Sequence, residues 1–342
     1  MQRPLRLTID RSAIQANWRW LHGRAGVPAG AAIKADGYGL GAREAAQALY
    51  HAGCRDFFVS TWTEADALGP LPVGTSLVVL HGVGPNDVET ALASSARPVL
   101  NTPEQVARWK EAAADRTCDV MIDTGINRLG LRAEEVGIIE GLSVDTLHSH
   151  LACADEDHGQ NQMQLERFRA IAASVPAKRY SLANSAGVCL GPDYSFDLVR
   201  PGLSLYGGIP RDEAEGNIRS VIRVDAQVVQ RRTIRAGESC GYGATFCAAE
   251  DTEAAILNIG YADGYLRGFS SRGCGFAGEY ALPVLGRVSM DLVALGCDAA
   301  PELREGDWVE IDYDLTTASR QSGLSQYELL TCLGDRFERR WV

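Results

Sequence analysis

Residues 97–123 read Arg97-Pro-Val-Leu-Asn-Thr-Pro-Glu-Gln-Val-Ala-Arg-Trp-Lys-Glu-Ala-Ala-Ala-Asp-Arg-Thr-Cys-Asp-Val-Met-Ile-Asp123. Two short apolar runs, 97–101 and 118–123, flank a helix-like stretch over 103–115. A continuous apolar run followed by a helix and a second run is the pattern of parallel strands buried on both faces. The rhythm extends in both directions. Apolar runs recur at 31–35, 56–60, 77–82, 146–151, 180–184 and 198–203, with helix-like stretches at 42–53, 85–95, 133–140 and 160–174. The stretches near 62–68 and 186–190 are less sharply patterned. Eight such runs in about 200 residues predict an α/β fold of the (β/α)8 TIM-barrel type. An open doubly wound sheet is the structural rival.

Beyond residue 220 the rhythm changes. Ile222–Val229 alternates, and 254–259, 281–284, 291–295 and 308–311 are short strand-like runs with glycine-rich punctuation. Helix signal is scarce until 325–333. This predicts a barrel over 1–221 followed by a mostly-β C-terminal domain over 222–342. Leu5, Leu7 and Ile9 alternate as a strand, and residues 1–9 are expected to pair with the C-terminal domain. Ser12-Ala-Ile-Gln15 has capping-box spacing and is expected to open a helix through Asn17, Trp18 and Leu21.

The chain has 342 residues, 46% apolar and 23% charged, an ordinary balance for a globular enzyme of two domains. A net charge of −11 argues against nucleic-acid or anionic-membrane partners. No apolar run suits a signal peptide or a membrane span. Nine scattered cysteines without a C-x-x-C pair suit reduced thiols, hence a cytoplasmic setting. Six histidines without ligand spacing predict no metal site.

In such barrels function sits at the C-terminal ends of the strands. Lys34 lies there, between Ile33 and Ala35, where burial would depress its pKa and suit it to Schiff-base chemistry. A lysine snorkelling to water is the alternative. Arg128 ends Asp-Thr-Gly-Ile-Asn-Arg and can hold a carboxylate in a forked pair, or form a surface salt bridge. His148 and His150 share a face of one strand, as proton relays or as core histidines. Ser185 and Gly202 follow the seventh and eighth runs, where barrels bind phosphate, although turns use the same residues. Tyr261, in Gly260-Tyr-Ala-Asp-Gly264, suits an acid/base role if a cation lowers its pKa, or plain packing.

Together the segments resemble the alanine racemase family of fold-type III pyridoxal-phosphate enzymes, along nearly the whole chain and in order. They are Ala32–Gly41, Asp123–Gly130, Ser149–Glu156, Ala183–Ser185, Val199–Leu203, Gly241–Phe246, Gly260–Gly264 and Gly286–Asp291. The resemblance implies an isomerase that interconverts L- and D-alanine by two bases and supplies D-alanine biosynthesis or catabolism. Lys34 would carry pyridoxal 5'-phosphate and act on one substrate face. Tyr261 would act on the other, contributed across the interface of a head-to-tail homodimer. His150 and Arg200 would tune Tyr261, and Arg200 would face the pyridine nitrogen. Since arginine holds its proton, that nitrogen would stay largely unprotonated, which weakens the electron sink and restrains side reactions. Tyr38, Ser185, Gly202 and Leu203 would hold the phosphate. Arg128 and the partner-borne backbone N–H of Met290 would hold the substrate carboxylate.

Two positions depart from the family pattern. Met121 stands where well-known members carry a carbamylated lysine, so Arg128 loses a negative neighbour, for which a chloride ion is one replacement. Asp335 aligns with a phosphate-binding tyrosine, and an acid there is expected to point away or bind through water. The competing readings are a broader racemase of serine or basic amino acids, a fold-type III decarboxylase, and a non-enzymatic cofactor carrier. Arg200 and Tyr261 favour the racemase over the decarboxylase.

Overall fold

The computed structural model describes residues 3–342. It divides into two compact units, one of Ala13–Arg219 and one made of the chain up to Ser12 together with Ser220–Val342.

In the first unit seven parallel strands pair in chain order: Ala31–Ala32, Asp56–Val59, Ser76–Val79, Arg97–Leu100, Cys118–Met121, Val144–His148 and Arg179–Ser181. The eighth run closes the sheet through a bridge rather than a full ladder. Asp197 and Arg200 donate backbone N–H bonds to Tyr180 and Ala183 on one side, and Val199 and Pro201 accept from Gly30 and Ala32 on the other. Pro201 has no N–H to give, which keeps this ladder short. Closure leaves no strand edge exposed. Phe58, Val78, Val99, Met121 and Leu198 meet inside as an apolar layer, as a TIM-type barrel requires. Met121 therefore fills barrel volume against Phe58, Val78, Val99 and Leu198, in register with His148 on the next strand.

The helices follow their sequence signals closely. Pro103–Ala113 starts with a proline, its first turn capped by Thr102, whose hydroxyl accepts from the Gln105 N–H at 3.2 Å, and it buries Val106, Trp109 and Ala113. The weakly patterned stretches become the helices Trp62–Leu68 and Ser185–Cys189, whereas 133–139 is a 3-10 helix. The helix Arg11–Ala25 already includes Ser12. Ser12 is thus a helical residue and not the cap expected of it.

In the second unit Leu5–Ile9 lies between two strands, antiparallel to Ile222–Ile234 and parallel to Glu338–Trp341. The long strand Ile222–Ile234 also pairs with Trp308–Ile311 and Thr252–Leu257. The expected helix near the C-terminus spans Gln326–Thr331 behind a Ser325/Glu328 capping box. A further helix, Leu315–Ser322, is hidden in the sequence because Thr and Ser are poor helix formers. Asp314 starts it by accepting from the Thr317 N–H at 2.9 Å. All nine cysteines are free. Among the described residues no helix is long and apolar enough to cross a membrane, and no cluster of His, Cys, Asp or Glu could hold a metal ion.

Candidate active site

Lys34 follows the first barrel strand directly. The chain then turns the wrong way. Ala35, Asp36, Gly37 and Tyr38 have φ of 51°, 50°, 61° and 58°, a left-handed turn in which three residues carry a Cβ. Such residues cost about 1–2 kcal/mol each, so the turn must be held. The Glu64 carboxylate takes the N–H of Ala35 at 2.9 Å and that of Ser60 at 2.6 Å. Asp36 Oδ1 takes the Ala42 N–H at 2.8 Å. Sequence reasoning missed Glu64. The signal was there, since Thr61 and Glu64 have the spacing of a capping box, and Thr61 does cap Trp62–Leu68.

Burial lowers the Lys34 pKa first, and Arg128 and Arg200 lower it further against the opposing charge of Glu64. His150, at the mouth end of the sixth strand, is pushed down to about 3 by burial and by the charges of Arg200, Arg128 and Lys34. It is a neutral imidazole throughout the physiological range. Arg200 is buried, with Nη2 on the Ser149 carbonyl at 2.6 Å and Nη1 on Ser181 Oγ. Burial brings it down to about 10, so it keeps its proton at neutral pH. Four predicted residues, Lys34, Arg128, His150 and Arg200, thus share one electrostatic space. Arg128 is exposed.

Beside them lies a nest of donors. Tyr38 is buried and stacks on Tyr206 with ring centroids 4.8 Å apart, while the Tyr206 hydroxyl donates to the Ala32 carbonyl at 3.0 Å. Ser185 Oγ accepts the N–H of Gly202 at 3.0 Å and of Ser204 at 3.2 Å. With both lone pairs used, its own proton must be given to something else. Ser204 Oγ is fully buried with no partner. A Cβ on Gly202 would meet Tyr38 Oη at 2.1 Å, so only glycine leaves the hydroxyl its place. Leu203 is buried at the start of a 3-10 turn there. Inward hydroxyls over a glycine floor fit a phosphate, and Lys34 supplies the amine for an aldehyde. The residues present therefore fit pyridoxal phosphate. Ser204 and Tyr206 carried no sequence signal of their own, since both depend on the turn geometry.

Tyr261 and Met290 lie in the second unit and are tied to each other. The N–H groups of Tyr261 and Ala262 reach the carbonyls of Ser289 and Met290, each at 3.0 Å. Fully buried Asp263 receives Arg336 in a forked pair at 2.6 and 2.7 Å, and the third guanidinium nitrogen binds Asp291 at 2.7 Å. One arginine thus clamps the tyrosine turn to the methionine turn. The Arg267 guanidinium carbon lies 5.6 Å from the Tyr261 ring centre. Met290 is 52% and Tyr242, in the same unit, 65% exposed. Asp335 is exposed, its carbonyl bound by Arg3.

Residues 9–210 match the family model of the alanine racemase N-terminal domain, and residues 221–341 that of the C-terminal domain. The chain belongs to the alanine racemase family. The catabolic alanine racemase of Agrobacterium fabrum is 41% identical, covering 98% of this chain and 92% of its own length. The alanine racemase of Rhizobium meliloti is 39% identical over 98% of this chain and 96% of its own length. A crystal structure of alanine racemase from Bartonella henselae with covalently bound pyridoxal phosphate superposes with a TM-score of 0.92 at 34% identity, covering both chains completely. The barrel and the β-rich second unit are those of this racemase family.

Proposed function

We propose that this chain is a pyridoxal-phosphate-dependent alanine racemase in which Lys34 and Tyr261 work on opposite faces of the substrate. The observation that carries this reading is a lysine whose charge is opposed by burial and two arginines, set four residues from a tyrosine that lines a glycine-floored nest of donors. Ser185, Gly202, Leu203 and Tyr38 hold the phosphate. The bound cofactor supplies the aldehyde for a lysine amine and the electron sink that acidifies the substrate Cα–H. On one face Lys34 Nζ takes the proton as an amine or returns it as an ammonium, and on the other face Tyr261 Oη does the opposite step, returning a proton as a phenol or taking one as a phenolate. Arg200 keeps its own proton and offers the ring nitrogen a hydrogen bond only. His150, neutral, and Arg200 form the chain that tunes the Tyr261 phenol. Arg128 and the Met290 N–H hold the carboxylate, which fixes Cα between the two bases.

Tyr261 acts in the partner's site of a head-to-tail homodimer. The support is that half-buried Tyr261 and exposed Met290 share one clamped pair of turns in the second unit, whereas Lys34 and Arg200 belong to the barrel. The nine free thiols suit a reducing cytoplasm.

L-Alanine in heavy water should exchange its Cα hydrogen and yield D-alanine, and borohydride should trap the cofactor on Lys34. Exchange without D-product would overturn the racemase reading. A panel of L-amino acids, with serine and lysine included, measures how strictly alanine is preferred.

A further inference from the structure

The floor of the barrel carries a chain of charge that the sequence analysis did not anticipate. From the lower rim it runs through Asp56 Oδ1 to Arg179 (2.9 Å), Arg179 to Asp145 (2.7 Å), Asp145 to Arg97 (3.0 Å), Arg97 to Asp119 (3.1 Å) and Asp119 Oδ2 to His148 Nε2 (3.1 Å). Signs alternate along it. Asp119 and His148 are fully buried.

The inner end of this chain reaches the active site. Met121, which lies inside the barrel, pairs in register with His148, and His148 with Ser181. Registered residues of a parallel sheet face the same way, so His148 and Ser181 both point inward. Ser181 holds one arm of Arg200, and the carbonyl of Ser149, next to His148, holds the other. Both of these acceptors are neutral. A buried guanidinium without a counter-charge is costly, and the acid whose field supports Arg200 is Asp119. An ionised carboxylate only accepts, so His148 must carry its proton on Nε2. Its Nδ1 is then a lone pair, buried and without a protein partner. Protonation of that ring is opposed by burial, Arg200 and Arg97 against the pull of Asp119, and its pKa is down to about 4.

We propose that Asp119, through neutral His148, is a positioning residue that keeps Arg200 charged and fixed toward the cofactor's ring nitrogen, while the outer pairs of the chain serve only the fold. This rests on the racemase reading above. The other charged or titratable groups in the field around Arg200 are Lys34 after the first strand, Arg128 after the fifth, and His150 on the sixth.

The test compares Asp119→Asn with Asp56→Asn, at the far end of the chain, in the holoenzyme. Asp119→Asn should lower kcat about tenfold, leave KM within about twofold, and move the alkaline limb of the pH profile down by about one unit. Asp56→Asn should leave all three unchanged. If Asp119→Asn does not fold, His148→Gln, which keeps a donor for Asp119, should retain the wild-type alkaline limb and His148→Leu should shift it. Nitrogen NMR of the cofactor-free wild-type protein should show His148 neutral and Nε2-protonated between roughly pH 6 and 9. An unmoved alkaline limb in Asp119→Asn, equal losses in Asp56→Asn, or a proton on Nδ1 overturns the proposal. The NMR result is independent of turnover, so a wild-type protein that fails to racemise would sink the racemase reading and leave the Asp119–His148 geometry separately measured.

Discussion

The proposed reactivity of the Lys34 amine rests on its neighbours. Burial and two guanidinium groups oppose its charge, so Lys34→Ala should lose racemisation and borohydride trapping together while the protein stays folded. Tyr261 is the complementary case. Removing its hydroxyl in Tyr261→Phe should slow one direction of proton transfer more than the other, seen as unequal loss of Cα exchange from L- and D-alanine. Gly202 leaves Tyr38 its place in the proposed phosphate nest, because a methyl there would lie 2.1 Å from Tyr38 Oη. Gly202→Ala should weaken cofactor binding at least about tenfold, or roughly 1.4 kcal/mol, in an equilibrium titration, with melting of the cofactor-free protein little changed.

Among the elements, the left-handed turn Ala35–Tyr38 carries the most strain. It joins the lysine to the tyrosine of the phosphate nest, and a right-handed path would swing one away from the other. The turn survives because Glu64 takes two backbone N–H groups that would otherwise be left without partners. Glu64→Ala should therefore destabilise the fold by about 1–3 kcal/mol in urea unfolding, the cost of orphaned donors, and lower kcat as Lys34 loses its place. Unchanged stability would mean water replaces the carboxylate. The Tyr261 and Met290 turns are a second such unit, held by Arg336, and their strength lies in a forked pair to a buried acid.

For the molecule as a whole, two buried histidines couple stability to pH. His148 and His150 are held down to about 4 and about 3, below the ordinary histidine value near 6.5. The unfolded chain then takes up protons first as the pH falls. Stability is complete above about pH 6.5 and declines below it toward pH 4 and 3, by up to ~1.4 kcal/mol per pH unit for each ring. Urea midpoints at pH 7.5, 6 and 5 check this, and a flat profile below pH 6 would contradict two neutral buried rings. The proposed dimer has its own signature. Mixing inactive Lys34→Ala and Tyr261→Ala chains should restore about a quarter of wild-type activity, since half the re-paired dimers are mixed and each has one intact site of two. No recovery would place Tyr261 in the site of its own chain.

Periodicity in the sequence determined the barrel, the β-rich second unit and the strand-end position of Lys34, because burying strands on both faces demands continuous apolar runs at regular spacing. The collinear motifs determined the family for the same reason that they recur: each is a short segment whose chemistry is local. Only the tertiary structure decided that the eighth strand closes by a bridge at Val199, that Met121 packs inside the barrel, that Glu64 holds the turn after Lys34, that Ser204 lies on Ser185, and that Asp119 meets His148. Those facts depend on groups far apart in the chain meeting at hydrogen-bond distance, as Arg200 meets Ser149 and Asp119 meets His148. Periodicity records which face a residue takes. It does not record which atom of another strand it will touch there.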